Sequence, residues 1–389
     1  MALLTSAMVC AGCGYRVPRD EPYPFRCPRS LPDDDIDHVL TNRVEASASG
    51  AKFALDDGEK NPFVRFRGSL LSYHVGLAHG LSDRDYVNVV AELDSRVAKV
   101  DGSGVRVTPL VQAGALQNLL GLAPGGSLWI KDETGNVSGT HKGRHLMGIL
   151  LWLEVAERCG LGGIDRSSTP RLAIASCGNA ALAAAVLAQA GGRELAVFVP
   201  PHADASVLER FRQLGADVSV CPRQSAGKGD PCVLHFRDAV RSGALPFACQ
   251  GNENGLAIEG GETLGYEIVE AMVARDQRPD RIFVQVGGGA LASACIQALY
   301  RERQRGRIER LPRFHAVQTE GAYPLRVAYG RVVERILEHY RQEAKGAAPP
   351  PERVDELARF VAEHVPSQLV EEALRYGATH RSAFMLSLI

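Results

Sequence analysis

The chain has almost no net charge to offer, because 44 Lys and Arg residues stand against 45 Asp and Glu, leaving −1 at pH 7. Binding along a nucleic-acid backbone needs a broad basic surface, so no nucleic-acid partner is expected. Long hydrophobic runs are missing too. The longest apolar stretches, such as Leu146 to Leu153, fall far short of the roughly 20 residues that span a bilayer, so no membrane partner is expected. Met1 to Met8 lacks both a basic start and a hydrophobic region, which argues against a secretion signal. No internal repeat, carboxylate pair or Ser-His-Asp arrangement stands out. The nine cysteines are an odd number scattered mostly through apolar segments, and this pattern fits a reducing cytoplasm better than a disulfide framework.

What is there can build a large core. The chain has 389 residues, 45% of them hydrophobic, and the usual domain size divides that length into two or three units. From about Pro109, short apolar runs alternate with helical stretches, which marks an α/β fold with a largely parallel sheet. Residues 195–199, 217–221, 246–250 and 282–286 read as strands. Residues 207–214, 233–240 and 264–273 read as helices between them, 345–351 as a loop, and 352–363 as a further helix.

Three segments carry chemistry. In the first, KDETGNVSGTHKGRHL from Lys131 to Leu146, Lys142 follows a Ser-Gly-Thr turn just where an apolar helix begins, with Leu146, Ile149, Leu150 and Leu153 at helical spacing. An amine held near a positive helix end and partly desolvated has its charged form disfavoured, which suits a lysine that forms a Schiff base. A surface lysine on a helix is the plain alternative. In the second, Ser176-Cys177-Gly178-Asn179 lies between the apolar run 172–175 and the Ala-rich run 180–190, so it reads as strand, turn, helix. Its small residues leave amides free for an anion, and Asn179 offers a donor and an acceptor to a ring hydroxyl; an ordinary helix cap is the alternative. In the third, Gly287, Gly288 and Gly289 precede Ala290 and Leu291 at another strand-to-helix junction, where backbone amides cradle a phosphate. The same stretch fits G-x-G-x-x-A through Gly287, Gly289 and Ala292. With Glu320 beyond the next strand-like run, that fit keeps an NAD-dependent dehydrogenase open as a rival, although 28 residues is a long gap for that fingerprint.

Near the start, Cys10, Cys13, Cys27 and His38 have the spacing C-x2-C-x13-C-x10-H, which suits a tetrahedral zinc ribbon; free thiols are the alternative.

In their order and rough spacing, the three segments resemble the fold-type-II family of pyridoxal-phosphate enzymes, the threonine synthase, threonine dehydratase and cysteine synthase group. The resemblance covers roughly Pro109 to Leu325. It implies that Lys142 holds pyridoxal phosphate and acts as the catalytic base. Asn179 contacts the cofactor ring, and Gly287, Gly288, Gly289, Ala290 and Leu291 hold its phosphate. Ser138, Gly139, Thr140, Ser176, Cys177 and Gly178 receive the carboxylate of an amino-acid substrate. It also implies a two-domain α/β architecture with parallel-rich twisted sheets: a larger cofactor-binding domain from 46–166 and 245–389, a smaller α/β domain at 167–244, and the ribbon at 1–45. A homodimer is expected, and some relatives carry a Cys-rich ribbon ahead of the core.

The resemblance implies a lyase, with β-elimination from serine or threonine as the first reading and β- or γ-replacement as the second. A phosphorylated substrate would need extra cations, for which Lys131, Arg144 and Arg223 are available. The chain departs from the family pattern around the lysine, with His141 before it and Gly143-Arg144 after it. His141 either contacts substrate or phosphate or packs as an ordinary histidine. Family members use a later Ser, Thr or Cys to bond the pyridine nitrogen; Ser382 and Ser387 are hydroxyls near the end, but nothing around them resembles that site, so a catalytically weakened relative is a further expectation.

Overall fold

Strands of a sheet covered on both faces are written as short, continuously apolar runs, and this chain has several of them between helix-length stretches. The computed structural model describes residues 5–31, 34–45, 58–122, 125–166, 169–223, 229–343, 350–351 and 354–380. The chain begins with β1 (Thr5–Cys10), β2 (Leu40–Glu45), α1 (Pro62–Arg65), α2 (Leu71–Ala78), α3 (Asp83–Asp101), β3 (Leu110–Gln112) and α4 (Gly114–Leu119). It continues through β4 (Trp129–Lys131), α5 (Lys142–Arg158), β5 (Leu172–Ala175), α6 (Asn179–Gly191), β6 (Leu195–Val199), α7 (Ala205–Gln213) and β7 (Asp217–Val220). After α8 (Pro231–Arg241), β8 (Leu245–Pro246), α9 (Leu256–Val273), β9 (Arg281–Gln285), α10 (Ala290–Gln304) and β10 (Arg313–Val317) come α11 (Pro324–Glu343), α12 (Val354–His364) and α13 (Ser367–Thr379).

The alternation of strand and helix gives parallel pairing. One four-stranded sheet has the order β7-β6-β5-β8, with Leu172 opposite Leu195 and Leu245, and Val197 opposite Val218. Leu172, Ala173, Ile174, Leu195, Val197 and Val199 are all buried, as expected of strands sandwiched between helices. β9 and β10 also pair in parallel, with Phe283 opposite His315, while β3 and β4 pair antiparallel.

Two expected elements differ in extent. The strand expected over 246–250 shortens to Leu245–Pro246, because Gln250 instead accepts the amides of Glu253 and Asn254 and the chain turns there. The helix expected over 264–273 starts at Leu256, where the Asn254 side chain accepts the Leu256 amide at 3.1 Å and satisfies one of the unpaired donors of the first turn.

Helix α9 carries three glycines, and packing explains why it tolerates them. It lies against α5 on one side and α10 on another. A Cβ on Gly148 would sit 2.8 Å from the Gly260 Cα, and one on Gly265 would sit 2.5 Å from the Ala298 Cβ. A Cβ on Gly260 would strike the Arg144 carbonyl, and one on Gly261 the His145 ring. The glycines therefore let three backbones approach closely. Gly260→Ala should destabilise the protein by about 1–3 kcal/mol through overpacking against a rigid carbonyl. Gly114→Ala, where a Cβ meets open space, should change stability by roughly 0.5 kcal/mol or less. Chemical denaturation of both variants checks this, and equal midpoints would contradict it.

By contact, the described residues divide into two compact units. One comprises those of Met1–Val9, Arg16–Arg26 and Leu40–Val317, and the other those of Cys10–Tyr15, Cys27–Val39 and Gln318–Ile389. In the second, Val333, Ile336, Leu337 and Tyr340 form a helical stripe that packs with Phe360, Val365, Leu369 and Ala373. The helix expected at 352–363 is observed as Val354–His364. Within the expected loop at 345–351, residues 345–349 lie outside the described residues, as do Ser382 and Ser387. Among the described residues, no helix is long and apolar enough to cross a membrane.

Candidate active site

The lysine turn is built from side chains that cap one another. Asp132 accepts the Thr134 amide at 2.9 Å, and Asn136 accepts the Val137 amide at 2.9 Å. Ser138 and Gly139 then adopt φ values of 56° and 68°, two successive left-handed residues that reverse the chain. For serine this conformation is uncommon and costs on the order of 1–2 kcal/mol. The Ser138 amide donates to Asp101 at 3.0 Å, and the Lys142 amide donates to the Thr140 hydroxyl at 3.4 Å. Lys142 is the first residue of α5 and half-buried, whereas Gly143 through Ala156 are all buried.

Two residues later, Arg144 is completely buried. Its Nε donates to Glu133 at 2.7 Å, its Nη1 donates to Glu267 at 2.5 Å and Thr263 at 3.1 Å, and its Nη2 donates to Thr108 at 3.1 Å. Lys131 also pairs with Glu267. Burial raises the Glu133 carboxyl, but the Arg144 guanidinium overcomes this and holds it at about 2. Two cations facing two carboxylates, with the remaining donors satisfied, is the form in which charge can be buried. The expectation that Lys131 and Arg144 are available to a substrate phosphate is therefore corrected: both are spent on Glu133 and Glu267, which lock the start of α5 to α9. Arg223 remains exposed.

Around the amine lie groups that sequence reasoning weighed only in part. The His141 and His145 rings meet edge-to-face at 5.8 Å. His145 is fully buried and donates from Nδ1 to the Ala257 carbonyl at 2.6 Å, and its Nε2 has no hydrogen-bond partner. Burial, reinforced by the positive charge of Lys142, lowers His141 to about 4 and His145 to about 3. Burial pushes the Cys249 thiol up to about 11, with Lys142 acting against the rise. Both imidazoles and the thiol are thus neutral near pH 7. His145 went unrecognised because its place among the apolar residues that follow Lys142 reads as core, and Cys249 because no motif surrounds it.

The neutral histidine has a consequence for stability. Its folded pKa is lowered below the ordinary 6.5, so between pH 6.5 and about 3 the unfolded chain binds a proton that the folded chain does not. The stability that burial of neutral His145 contributes above pH 6.5 is lost as pH falls through that window, at up to about 1.4 kcal/mol per pH unit. His145→Gln keeps a donor for the Ala257 carbonyl but cannot titrate. Urea midpoints measured from pH 7 to 5 should fall less steeply in this variant, and equal slopes would exclude the effect.

The other two segments open other helices. At the end of β5, the Gly178 amide donates to the Ser176 hydroxyl at 3.3 Å, and exposed Asn179 begins α6. Cys177 and Gly178 are exposed as well. At the end of β9, Gly287 and Gly288 are exposed, and Gly289 has φ 84° ahead of Ala290 and Leu291 in the first turn of α10. A Cβ on Gly288 or Gly289 would meet nothing within 4 Å, and first-turn helix amides have no intrahelical acceptor, so this turn presents free donors to open space. A phosphate group fits that cradle. Helix α5 lies against α6 and α9, and α9 lies against α10, so all three segments begin helices of one packed assembly.

The Cys-rich segment forms a separate cluster. Ligand atoms of Cys10, Cys13, Cys27 and His38 lie within 4.8 Å of one another. The Cys13 and Cys27 sulfurs are 3.6 Å apart, Cys10 Sγ is 3.4 Å from His38 Nδ1, and the Cys13 amide points at Cys10 Sγ at 3.4 Å. His38 Nε2 is held by Asp34 at 3.0 Å. The edges of a tetrahedral zinc site with Zn–S bonds near 2.3 Å are about 3.8 Å, close to the 3.4 and 3.6 Å separations here, so the chemistry and spacing of this donor set suit zinc.

Comparison with known proteins gives these sites a context. A family model described as pyridoxal-phosphate dependent enzyme matches residues 103–383. Threonine synthase from Methanocaldococcus jannaschii is 24% identical over 242 residues, which cover 62% of this chain and 54% of that protein. A probable D-serine dehydratase from Paracidovorax citrulli is 34% identical over 172 residues, 37% of each chain. Among solved structures, maize serine racemase aligns with a TM-score of 0.46 at 19% identity, over 64% of this chain and 65% of that one. The chain spans about a third to a half of the length of the curated relatives it matches. The family match covers well over half of the chain and removes the dehydrogenase alternative built on Gly287, Gly289, Ala292 and Glu320. The chain belongs to the pyridoxal-phosphate-dependent enzyme family.

Proposed function

We propose that this member of the pyridoxal-phosphate-dependent enzyme family is a lyase that eliminates the β-hydroxyl of a small hydroxy amino acid such as serine or threonine. The observation that carries the choice over replacement on a phosphorylated substrate is the neutralisation of Lys131 and Arg144 by Glu133 and Glu267. Those cations are spent on holding Lys142 in place, and Arg223 alone is a thin basis for recognising a second phosphate.

In this reading Gly287, Gly288 and Gly289, with the amides of Ala290 and Leu291, hold the cofactor phosphate at the positive end of α10. Asn179 bonds the ring hydroxyl, and Lys142 supplies the amine that attaches the cofactor. The bound cofactor supplies an electron sink for the carbanion left at the α-carbon. Lys142 Nζ would take the α-proton and pass it to the departing β-hydroxyl, which leaves as water. Thr140 and the Ser176, Cys177 and Gly178 turn receive the substrate carboxylate, with Ser138 and Gly139 shaping the approach. Residues 167–244 form the smaller domain, while 46–166 and 245–389 form the larger one.

The reading extends to a zinc ion on Cys10, Cys13, Cys27 and His38, to a homodimer and to the cytoplasm. What supports a reducing location is that none of the nine cysteines is in a disulfide. The test is to incubate purified protein with pyridoxal phosphate, record the visible spectrum, and assay serine and threonine for keto acid and ammonia. A visible band with keto-acid release is expected. Absence of the band would overturn the cofactor assignment, and a band without keto acid from either substrate would overturn the elimination.

A further inference from the structure

The chain on either side of the Cys-rich cluster is built into α5 and α9, the helices that carry Lys142 and the carboxylate partner of Arg144. Before Cys27, the Pro22 carbonyl accepts the Nε1–H of Trp152 on α5 at 2.8 Å, and the Phe25 carbonyl accepts the Gly255 amide at 3.0 Å. Arg26 faces the buried carboxylate of Glu253 at 3.7 Å. After His38, Leu40 packs so closely on Gly255 that a Cβ there would sit 2.4 Å from the Leu40 carbonyl oxygen. The Asn42 amide then donates to Glu259 on α9 at 2.5 Å.

Gly255 is the residue from which α9 starts, and it is held from two directions: by a residue two before Cys27 and by a residue two after His38. Two positions further, the Ala257 carbonyl accepts His145 Nδ1 at 2.6 Å, and His145 lies about one turn along α5 from Lys142. None of these links takes part in the chemistry proposed above. A short segment that orders only when its metal is bound has two states, and elements bonded to it share them.

We propose that metal occupancy of the cluster regulates the active site, because zinc on Cys10, Cys13, Cys27 and His38 makes the segments beside them a clamp on α5 and the start of α9. The inference rests on the zinc reading above and holds whichever reaction Lys142 serves. Zinc fixes Cys27 and His38 relative to one another, and through two residues on each side it fixes Phe25 and Leu40 around Gly255. Loss of the metal frees both grips at once. The setting of α9 against α5 then loosens at Ala257 and Trp152, and with it the placing of Lys142. The parallel pair β5 and β6 keeps its own ladder and stays ordered.

The test compares the full chain loaded with zinc and after chelation, with no cofactor or substrate present. Trp129→Phe leaves Trp152 as the sole tryptophan, since the sequence holds two. On chelation, acrylamide quenching of Trp152 and acylation of the Lys142 amine should each rise about threefold or more. Hydrogen exchange at Gly255, Leu256 and Ala257 should quicken at least about tenfold, while exchange in Leu172–Ala175 and Leu195–Val199 stays unchanged. Added zinc should restore every signal. A chain that binds no zinc would overturn the proposal. So would a ribbon that chelation opens to protease while Trp152 and Gly255 keep their protection, a result that leaves the zinc site itself standing. Exchange that quickens in β5 and β6 as well would also overturn it, because the metal would then support the whole fold and not the setting of two helices. None of these results depends on the visible band or keto-acid release that tests the lyase reading.

Discussion

Lys142→Ala should leave a folded protein that no longer attaches pyridoxal phosphate covalently and whose turnover falls by at least about a thousandfold. The size of the effect follows from the two roles that one amine fills. As the attachment point it holds the cofactor in register with the substrate, and as the base it carries the α-proton; loss of a positioned general base alone removes about two to four orders of magnitude. Among the described residues around Lys142, none is a ready substitute. Burial, the larger cause and one that the substitution leaves in place, keeps His141 and His145 poor proton acceptors, and it pushes the Cys249 thiol up to about 11. Lys131 is tied to Glu267. Borohydride reduction followed by peptide mass spectrometry is the measurement. In the wild type the cofactor mass should appear on the peptide containing Lys142, and in the variant on no lysine. A label on any other lysine would sink the assignment.

The same measurement bears on the network beneath the lysine. Arg144 bridges Glu133 in the turn to Glu267 on α9, so the helix that begins with Lys142 is fixed at its first turn by buried charge. Such networks are costly to assemble and more costly to break, so the turn and α9 stay joined here. The amine of Lys142 inherits that geometry.

Much of this was legible in the sequence because the chemistry sits where local signals are strong. A strand, a turn of small residues and a helix recur around Lys142, Asn179 and Gly287 to Gly289, and each turn uses glycine where the backbone needs a left-handed residue or open space. The observed strands Leu172–Ala175 and Leu195–Val199 match their expected bounds, since continuous apolar runs between polar turns leave little freedom in where a buried strand begins. Helix α3 was legible in principle: Ser82 and Asp85 form a reciprocal cap at its start, and Gly102 closes it at φ 83°. What the sequence hid is set by contacts between distant residues. Arg144 looked like a cation free for substrate, and only the approach of Glu267, 123 residues away, shows otherwise. The early start of α9 was hidden for the same reason, because Gly260 and Gly261 weaken a helix locally and are justified only by α5 packing onto them.

The Cys-rich cluster should hold one zinc ion per chain, and its removal should unfold the segment around Cys10, Cys13, Cys27 and His38. The donor atoms are already gathered to within 4.8 Å, and the backbone is shaped for them: Gly14 takes φ 70° after the Cys10–Cys13 turn, and the Gly14 amide returns to the Cys10 carbonyl at 3.0 Å. A Cβ on Gly12 would lie 2.5 Å from the Asp37 carbonyl oxygen, so the loop carrying two cysteines packs directly on the segment carrying His38. That segment has too few apolar residues to fold on a core of its own, and metal binding would supply on the order of 10 kcal/mol. Asp34 holds His38 Nε2 and leaves Nδ1 toward Cys10, so Nδ1 is the nitrogen that would face a metal. Elemental analysis of protein purified without chelator should give one zinc per chain, and Cys13→Ala should give none. Asp34→Ala should retain zinc but release it to a competing chelator about 10 to 100 times more readily. Protease should cut the segment only after chelation. A metal-free wild type that resists protease as well as zinc-supplemented protein would exclude the site and leave three thiols and an imidazole packed together for another reason.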